Sequence, residues 1–281
     1  MLLIKSRKQL KDHLSPLKKN GSLGLVPTMG ALHIGHASLV ERAVKENSSV
    51  VVSIFVNPTQ FNNTEDLDNY PQTLTADIEI LEKISDQIIV FAPNIQEMYT
   101  EKVVSDTYDF DGLDKVMEGA FREGHFNGVG TIVEALLNLV QPNKAYFGEK
   151  DYQQLQIIRK LAEIRNIPVE IIGCPIVREA NGLAFSSRNE RLSKKIRNEA
   201  SFIYKTLITA KKKFGTKSAT HVIEWASQQF KEHPDLELEY IQIAQADTLE
   251  PIINKHQDKK YRAFIAVYAE GVRLIDNIAL N

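Results

Sequence analysis

The chain has 281 residues, 43% hydrophobic and 25% charged, a balance typical of globular proteins with apolar material for one large core or two smaller ones. Its 34 Lys and Arg against 36 Asp and Glu leave a net charge of −2, which excludes attraction to nucleic acid or anionic membranes by an overall positive field. One cysteine, Cys174, excludes an internal disulfide, and no Cys/His cluster has zinc spacing.

A reducing, cytoplasmic setting is therefore expected: no apolar stretch reaches transmembrane length, and the opening MLLIKSRKQLKDHL has too short an apolar run for a signal peptide. Met1 to Leu17 reads as an amphipathic segment with Leu3, Ile4, Leu10 and Leu14 on one side, stopped at Lys18-Lys19-Asn20-Gly21. The apolar run Leu23 to Val26 ends at Pro27, crosses a turn containing Gly30, and gives way at His36 to a helical pattern through Ala37, Leu39, Val40, Ala43 and Val44. His33 and His36 fall on one face of a first helical turn, where unpaired backbone N–H groups and the helix dipole favour anions. Gly30 and Gly35 allow the backbone to approach a base or phosphoryl group closely. An isolated H-x-G-H matches by chance, but a strand before it and a helix after it favour a phosphate site here.

Val50 to Val56 is a near-continuous apolar run of the kind buried on both faces of a parallel sheet. Asn57 and Gln60 follow at its C-terminal end, where open α/β sheets bind ligands. Turn chemistry nearly accounts for Asn57 and Pro58 but does not ask for Gln60. A helix is expected over Leu74 to Ile84, carrying Asp77, and a strand over Ile88 to Phe91; Asn94 to Asp114 reads as irregular, with a short strand near Val103. From Glu118 to Gly130 four glycines surround Arg122 and His125, which suggests a flexible loop carrying a cation to an anionic ligand. Thr131 to Val140 is an apolar helix, Lys144 to Phe147 a strand, and Tyr152 to Arg165 a helix with Gln153 and Gln154 in its first turn. Lys150, at the strand-to-helix turn, suits a phosphate and equally suits a solvated turn.

Pro168 to Val177 supplies another strand, so the expected fold is α/β, a doubly wound, Rossmann-like parallel sheet over 1–176. Neither G-x-G-x-x-G nor a Walker loop is present in the sequence. Ser186, Ser187 and Arg188 offer two hydroxyls and a guanidinium to phosphate, though a plain helix start with a Ser cap explains them as well. Helices over Lys194 to Phe214 and Ala219 to Lys231, followed by strands over Leu236 to Ala244, Tyr261 to Val267 and Val272 to Ile275, make 177–281 a smaller α+β lid domain.

The stretches PTMGALHIGH, FVNPTQF, YPQTL, EGAFREGHFNGV, FGEKDYQQL and SSRNERLS together resemble, in order and spacing, the pantoate–β-alanine ligases, a branch of the HIGH-motif nucleotidyltransferases. The resemblance spans the chain. It implies two half-reactions: pantoate attacks the α-phosphate of Mg-ATP to give pantoyl adenylate and pyrophosphate, and β-alanine then displaces AMP to give pantothenate. It further implies a homodimer with no nucleic-acid or membrane partner. ATP would be held by Met29, Gly30, Ala31, Leu32, His33, Ile34, Gly35 and His36, by Gly148, Glu149, Lys150 and Asp151, by the Val177 backbone, and by Phe185, Ser186, Ser187 and Arg188. Of these, His33, His36, Lys150 and Arg188 would stabilise the transition state. Gln60 and Gln154, with Asn57, Arg122 and His125, would bind pantoate and β-alanine, and Asp77 would stand near Mg2+ through water. The pattern departs from the family at Phe185, where Met is usual, at Gln72, where Arg is usual, and at Ala76, where relatives often carry an acid beside Asp77. Two histidines alone also fit an enzyme making a dinucleotide cofactor, a tRNA synthetase or a non-catalytic nucleotide sensor. The first leaves Gln60, Gln154 and Arg122 unexplained, the second lacks a basic domain for tRNA, and the third predicts ATP binding without turnover.

Overall fold

A computed structural model describes residues 1–62, 64–99, 101–252 and 254–281. In chain order the elements are β1 (Leu2–Ile4), α1 (Arg7–Asn20), β2 (Leu23–Thr28), α2 (Ile34–Glu46), β3 (Ser49–Ile54), α3 (Thr64–Asp68), α4 (Leu74–Glu82), β4 (Ile89–Phe91), α5 (Ile95–Met98), α6 (Met117–Phe121), α7 (His125–Val140), β5 (Lys144–Gly148), α8 (Tyr152–Ile164), β6 (Glu170–Cys174), α9 (Lys194–Glu199), α10 (Ser201–Phe214), α11 (Ala219–Lys231), β7 (Glu237–Gln245), β8 (Tyr261–Ala269) and β9 (Val272–Ala279). Their packing divides the chain into two compact units, Met1–Glu149 with Gln154–Pro175, and Lys150–Gln153 with Ile176–Asn281.

The first unit carries a six-stranded sheet in the order β1-β4-β3-β2-β5-β6, parallel throughout. This is the doubly wound arrangement expected from alternating strands and helices. β2 and β3 pair in full register from Leu23↔Ser49 to Thr28↔Ile54. One face carries Val26, Val50, Val52 and Val90, covered by Leu39, Val40 and Ala43 of α2 and Leu81 of α4. Alternation turns the equally buried Leu25 and Val51 to the other face, where α7 packs on β2 and on α1. The order reverses beside β2, which has β3 on one side and β5 on the other. Ligands bind outside the strand ends at such a switch point.

Three expectations for the first unit need correction. The first residues are not one amphipathic segment: Leu2–Ile4 forms an edge strand paired with β4, and a helix begins only after the cap Ser6, whose hydroxyl accepts from Gln9 N at 3.3 Å. Three residues are too few to show a period, so the strand had no sequence signal of its own. No strand forms near Val103, since 102–110 holds no regular element and Val103 and Val104 are exposed; Thr100, in the same stretch, lies outside the described residues. The glycine-rich block is mostly helical, α6 and then α7 from His125.

The second unit is the α+β body expected. Its antiparallel sheet, β7-β8-β9, is packed by α10 and α11 through Ile203, Leu207, Ala210, Val222, Ala226 and Phe230. The long helix expected over Lys194 to Phe214 breaks at Ala200 into α9 and α10.

Candidate active site

β2 ends at Thr28, whose hydroxyl donates to Ser53 O at 2.7 Å and accepts from Gly30 N at 3.2 Å. After Met29, Gly30 (φ +85°) and Ala31 (φ +50°) both lie in the left-handed region, a conformation that costs about 1–2 kcal/mol for an L residue such as Ala31. The carboxylate of Asp77, buried on α4, compensates: Oδ2 accepts from Ala31 N at 3.1 Å, and Oδ1 accepts from Leu32 N at 2.7 Å and from Thr73 Oγ1 at 3.1 Å. A Cβ on Gly30 would lie 3.0 Å from Asp77 Oδ2 and 3.1 Å from Ile54 Cγ2, so a side chain there would crowd the carboxylate as well as strain the backbone.

This loop delivers His33 as the N-cap of α2. His33 Nδ1 accepts from Gly35 N at 3.1 Å, and the backbone N–H of His33 is directed at His36 Nδ1 at 3.4 Å. Because both Nδ1 atoms are acceptors, both ring protons sit on Nε2. The rings lie 4.1 Å apart at 34°. The result is two imidazole N–H donors side by side at the positive end of a 13-residue helix, an arrangement suited to phosphate oxygens.

Asn57 and Gln60 stand after β3, in a short turn lying on α7. Asn57 is buried; its Nδ2 donates to Gln60 Oε1 at 3.2 Å and to Gly128 O at 3.0 Å, and its Oδ1 accepts from Tyr99 OH at 2.5 Å and Thr59 Oγ1 at 3.2 Å. Desolvation raises the Tyr99 phenol above its usual range, which keeps it a donor. Asn57 therefore orients Gln60, whose Nε2 reaches Met29 Sδ at 3.0 Å. A Cβ on Gly128 would lie 2.3 Å from Thr59 O and 2.7 Å from Gln60 N. That glycine serves close packing of a helix on the Gln60 backbone, not flexibility. His125 is buried, with Nδ1 2.8 Å from Gln60 O and Nε2 3.2 Å from Arg122 Nη1. The carbonyl can only accept, so Nδ1 carries the proton and Nε2 accepts from Arg122. Asn57, Gln60, Arg122 and His125 are thus one connected group, while Gln154 lies half-buried in the first turn of α8.

In the second unit Lys150 is half-buried in a short 3-10 turn, with Nζ 3.7 Å from Asp151 Oδ1. Val177 begins a tight hairpin: Phe185 N donates to Val177 O at 3.0 Å, Glu179 N donates to Leu183 O at 2.7 Å, and Arg178 bridges Ala184. Ser186 then caps another 3-10 turn, its hydroxyl accepting from Arg188 N at 3.2 Å. The hairpin is braced by Asn189, which donates to Glu179 Oε1 (2.8 Å) and Ala184 O (3.0 Å), and by Arg197 on Glu179. The sequence does not single out Thr73, Tyr99, Glu179 and Asn189: Tyr99 acts through Asn57, far away in the chain, and the other three are single polar residues with no periodic signal of their own.

Among the described residues no group of three or more His, Cys, Asp or Glu could hold a metal ion. Asp77 does not fit a direct Mg2+ ligand: it is buried and its oxygens already serve three donors. Cys174 is buried, and desolvation raises its thiol above the usual value, so it is a structural residue. Among the described residues no helix is long and apolar enough to cross a membrane.

Residues 2–279 match the family model for pantoate-beta-alanine ligase. The chain is 56% identical to the pantothenate synthetase of Christiangramia forsetii over 282 residues, covering all of both chains. Its fold is similar to that of the Thermus thermophilus pantothenate synthetase, with a TM-score of 0.92 and 38% identity over 100% of this chain and 99% of that one. The Francisella tularensis pantoate-beta-alanine ligase, solved in complex with beta-gamma ATP and beta-alanine, superposes with a TM-score of 0.83 at 35% identity over 100% and 98% of the two chains. With its parallel sheet, its HIGH-bearing helix and its full-length matches in sequence and in fold, the chain belongs to the pantoate–β-alanine ligase family.

Proposed function

We propose that this chain condenses (R)-pantoate with β-alanine, using ATP, through a pantoyl adenylate. The observation that carries this reading is the paired Nε2–H donors of His33 and His36, fixed by backbone caps at the start of α2, with the Gln60 group built beside the same sheet end. In the first half-reaction a pantoate carboxylate oxygen attacks the α-phosphorus and pyrophosphate leaves. Negative charge grows on the phosphoryl oxygens, and donors already oriented toward it need no reorganisation, the main source of acceleration in such transfers. Gln60 and Gln154, with Asn57, Arg122 and His125 behind them, bind and aim pantoate. The ATP set is completed by the Met29–His36 loop, Gly148–Asp151, the Val177 backbone and Phe185–Arg188, in which Lys150 and Arg188 supply positive charge. In the second half-reaction the β-alanine amine attacks the adenylate carbonyl, loses a proton as the amide forms, and AMP leaves. No covalent bond to the protein is formed.

Mg2+ enters as part of the nucleotide substrate, where it keeps most of its water and neutralises phosphate charge. The working assembly is a homodimer, which light scattering tests as a mass twice that of one chain. The reaction itself is tested by ATP–pyrophosphate exchange that requires pantoate, and by pantothenate and AMP formed in equal amounts once β-alanine is added. Exchange driven by another acid, or ATP binding without turnover, would reject the reading.

A further inference from the structure

We infer that Asp276 and Asn277, neighbours on β9, are positioning residues for the nucleotide, one locating the hairpin that carries Ser186 to Arg188 and the other locating Lys150. The inference rests on the reading of those segments as phosphate-binding.

Two consecutive polar residues, 5% and 2% exposed, are buried in the middle of β9. Burying a carboxylate is costly unless its charge is matched and its oxygens are hydrogen-bonded. Asp276 meets both demands through the hairpin. Arg178 donates Nη1 to Oδ2 at 2.6 Å and Nη2 to Oδ1 at 2.9 Å, a two-pronged geometry that fixes direction as well as distance. The same guanidinium donates to Gly182 O at 3.1 Å, across the hairpin turn, and lies 3.7 Å over the Tyr204 ring. Arg178 follows Val177 directly and bridges Ala184, two residues before Ser186, so the ion pair anchors the hairpin that leads into Ser186.

Asn277 does the same for the other segment. Its backbone N–H donates to Asp276 Oδ1 at 2.7 Å, and its Nδ2 donates to Lys150 O at 2.8 Å. Its Oδ1 accepts from Arg262, whose guanidinium lies 4.0 Å over the Tyr152 ring, itself 5.9 Å from Phe264. The pairings Ile265↔Asp276 and Phe264↔Asn277 place Asp276 and Asn277 on the central rungs of one antiparallel ladder. Two loops separated in sequence therefore share a single rigid origin, and a site mounted on strands holds its geometry better than one left to its loops.

The test uses the full-length chain with Asp276→Asn and Asn277→Ala, each checked for folding by circular dichroism, beside Lys150→Ala. A displacement of about 1 Å in a positioning element is enough for large losses. The KM for ATP should rise about tenfold or more and kcat should fall in both folded variants, while the KM for β-alanine stays within about twofold. Arg178→Lys and Asp276→Asn together should cost less than the two single changes summed, since they share the ion pair. Folded variants with wild-type KM for ATP, or with only a smaller active fraction and unchanged constants, would overturn the inference. If Asp276→Asn does not fold, Asn277→Ala carries the test. Impairment of Lys150→Ala without impairment of these variants rejects the positioning role alone; wild-type kinetics in Lys150→Ala rejects the phosphate reading beneath it.

Discussion

Replacing Asp77 tests how the loop between β2 and α2 is held. Its carboxylate accepts from Ala31 N, Leu32 N and Thr73 Oγ1 at 3.1, 2.7 and 3.1 Å, and hydrogen bonds to a charged group contribute about 1.5–3 kcal/mol each. Relaxation of Ala31 out of its left-handed conformation returns about 1–2 kcal/mol of this; Gly30 tolerates a positive φ and returns nothing. Three such hydrogen bonds sum to about 4.5–9 kcal/mol, so the net loss for Asp77→Ala is at least about 3 kcal/mol, seen as a Tm lower by roughly 6 °C or more. Asp77→Asn is the sharper probe. Its oxygen can keep one N–H, but its NH2 must then face the other donor, so it should resemble the alanine variant despite its wild-type shape. Melting is measured without nucleotide and with chelator present, and the KM for ATP at saturating Mg2+. A ligand role for Asp77 predicts the opposite, an unchanged Tm without metal and a kinetic defect repaired by more Mg2+. That outcome for the asparagine variant would refute the loop-holding argument.

Other consequences are as direct. His36→Ala should lower kcat by about 10²-fold or more in a folded protein, the scale of losing one preorganised donor to a developing oxyanion; wild-type turnover would remove His36 from the chemistry. Gly128→Ala drives a methyl into Thr59 O and should cost about 1–3 kcal/mol while raising the KM for pantoate, so unchanged melting and KM would show that the α7 contact does not set Gln60. Glu46 is held at a pKa of about 2, first by the Arg42 hydrogen bond and then by those from Lys144 and Tyr146. A depressed carboxyl stabilises the fold fully above its ordinary value of 4.5 and loses that contribution as the pH falls toward about 2. The urea midpoint of wild type should therefore exceed that of Glu46→Gln near neutral pH and converge with it through that acid window; a gap independent of pH would count against the pairing.

The first unit was legible where periodicity is local. β2, α2 and β3 announce themselves through an apolar run, a 3.6-residue pattern and a second apolar run, and this strand–turn–helix context, legible before any contact is known, is what places His33 and His36 at the start of α2. β9 was readable only to Ile275, because Asp276 and Asn277 look like the end of an apolar strand. They are its buried centre, since Arg178, Lys150 O and Arg262 meet them there. The glycines near Arg122 suggested mobility; Gly128 is instead required where a helix touches the Gln60 backbone.

By itself the sequence determined the alternation of elements, the two fold classes and the family, all of which follow from residue order and from motifs read along the chain. Tertiary structure alone decided which polar groups are paired. It bent the Asp77 carboxylate onto a loop forty-odd residues away, set the proton of each imidazole by the donor facing its other nitrogen, and gathered Lys150–Gln153 with the second unit. Hydrogen bonds and ion pairs depend on angstrom distances between residues far apart in sequence, and those distances exist only once the apolar faces have packed.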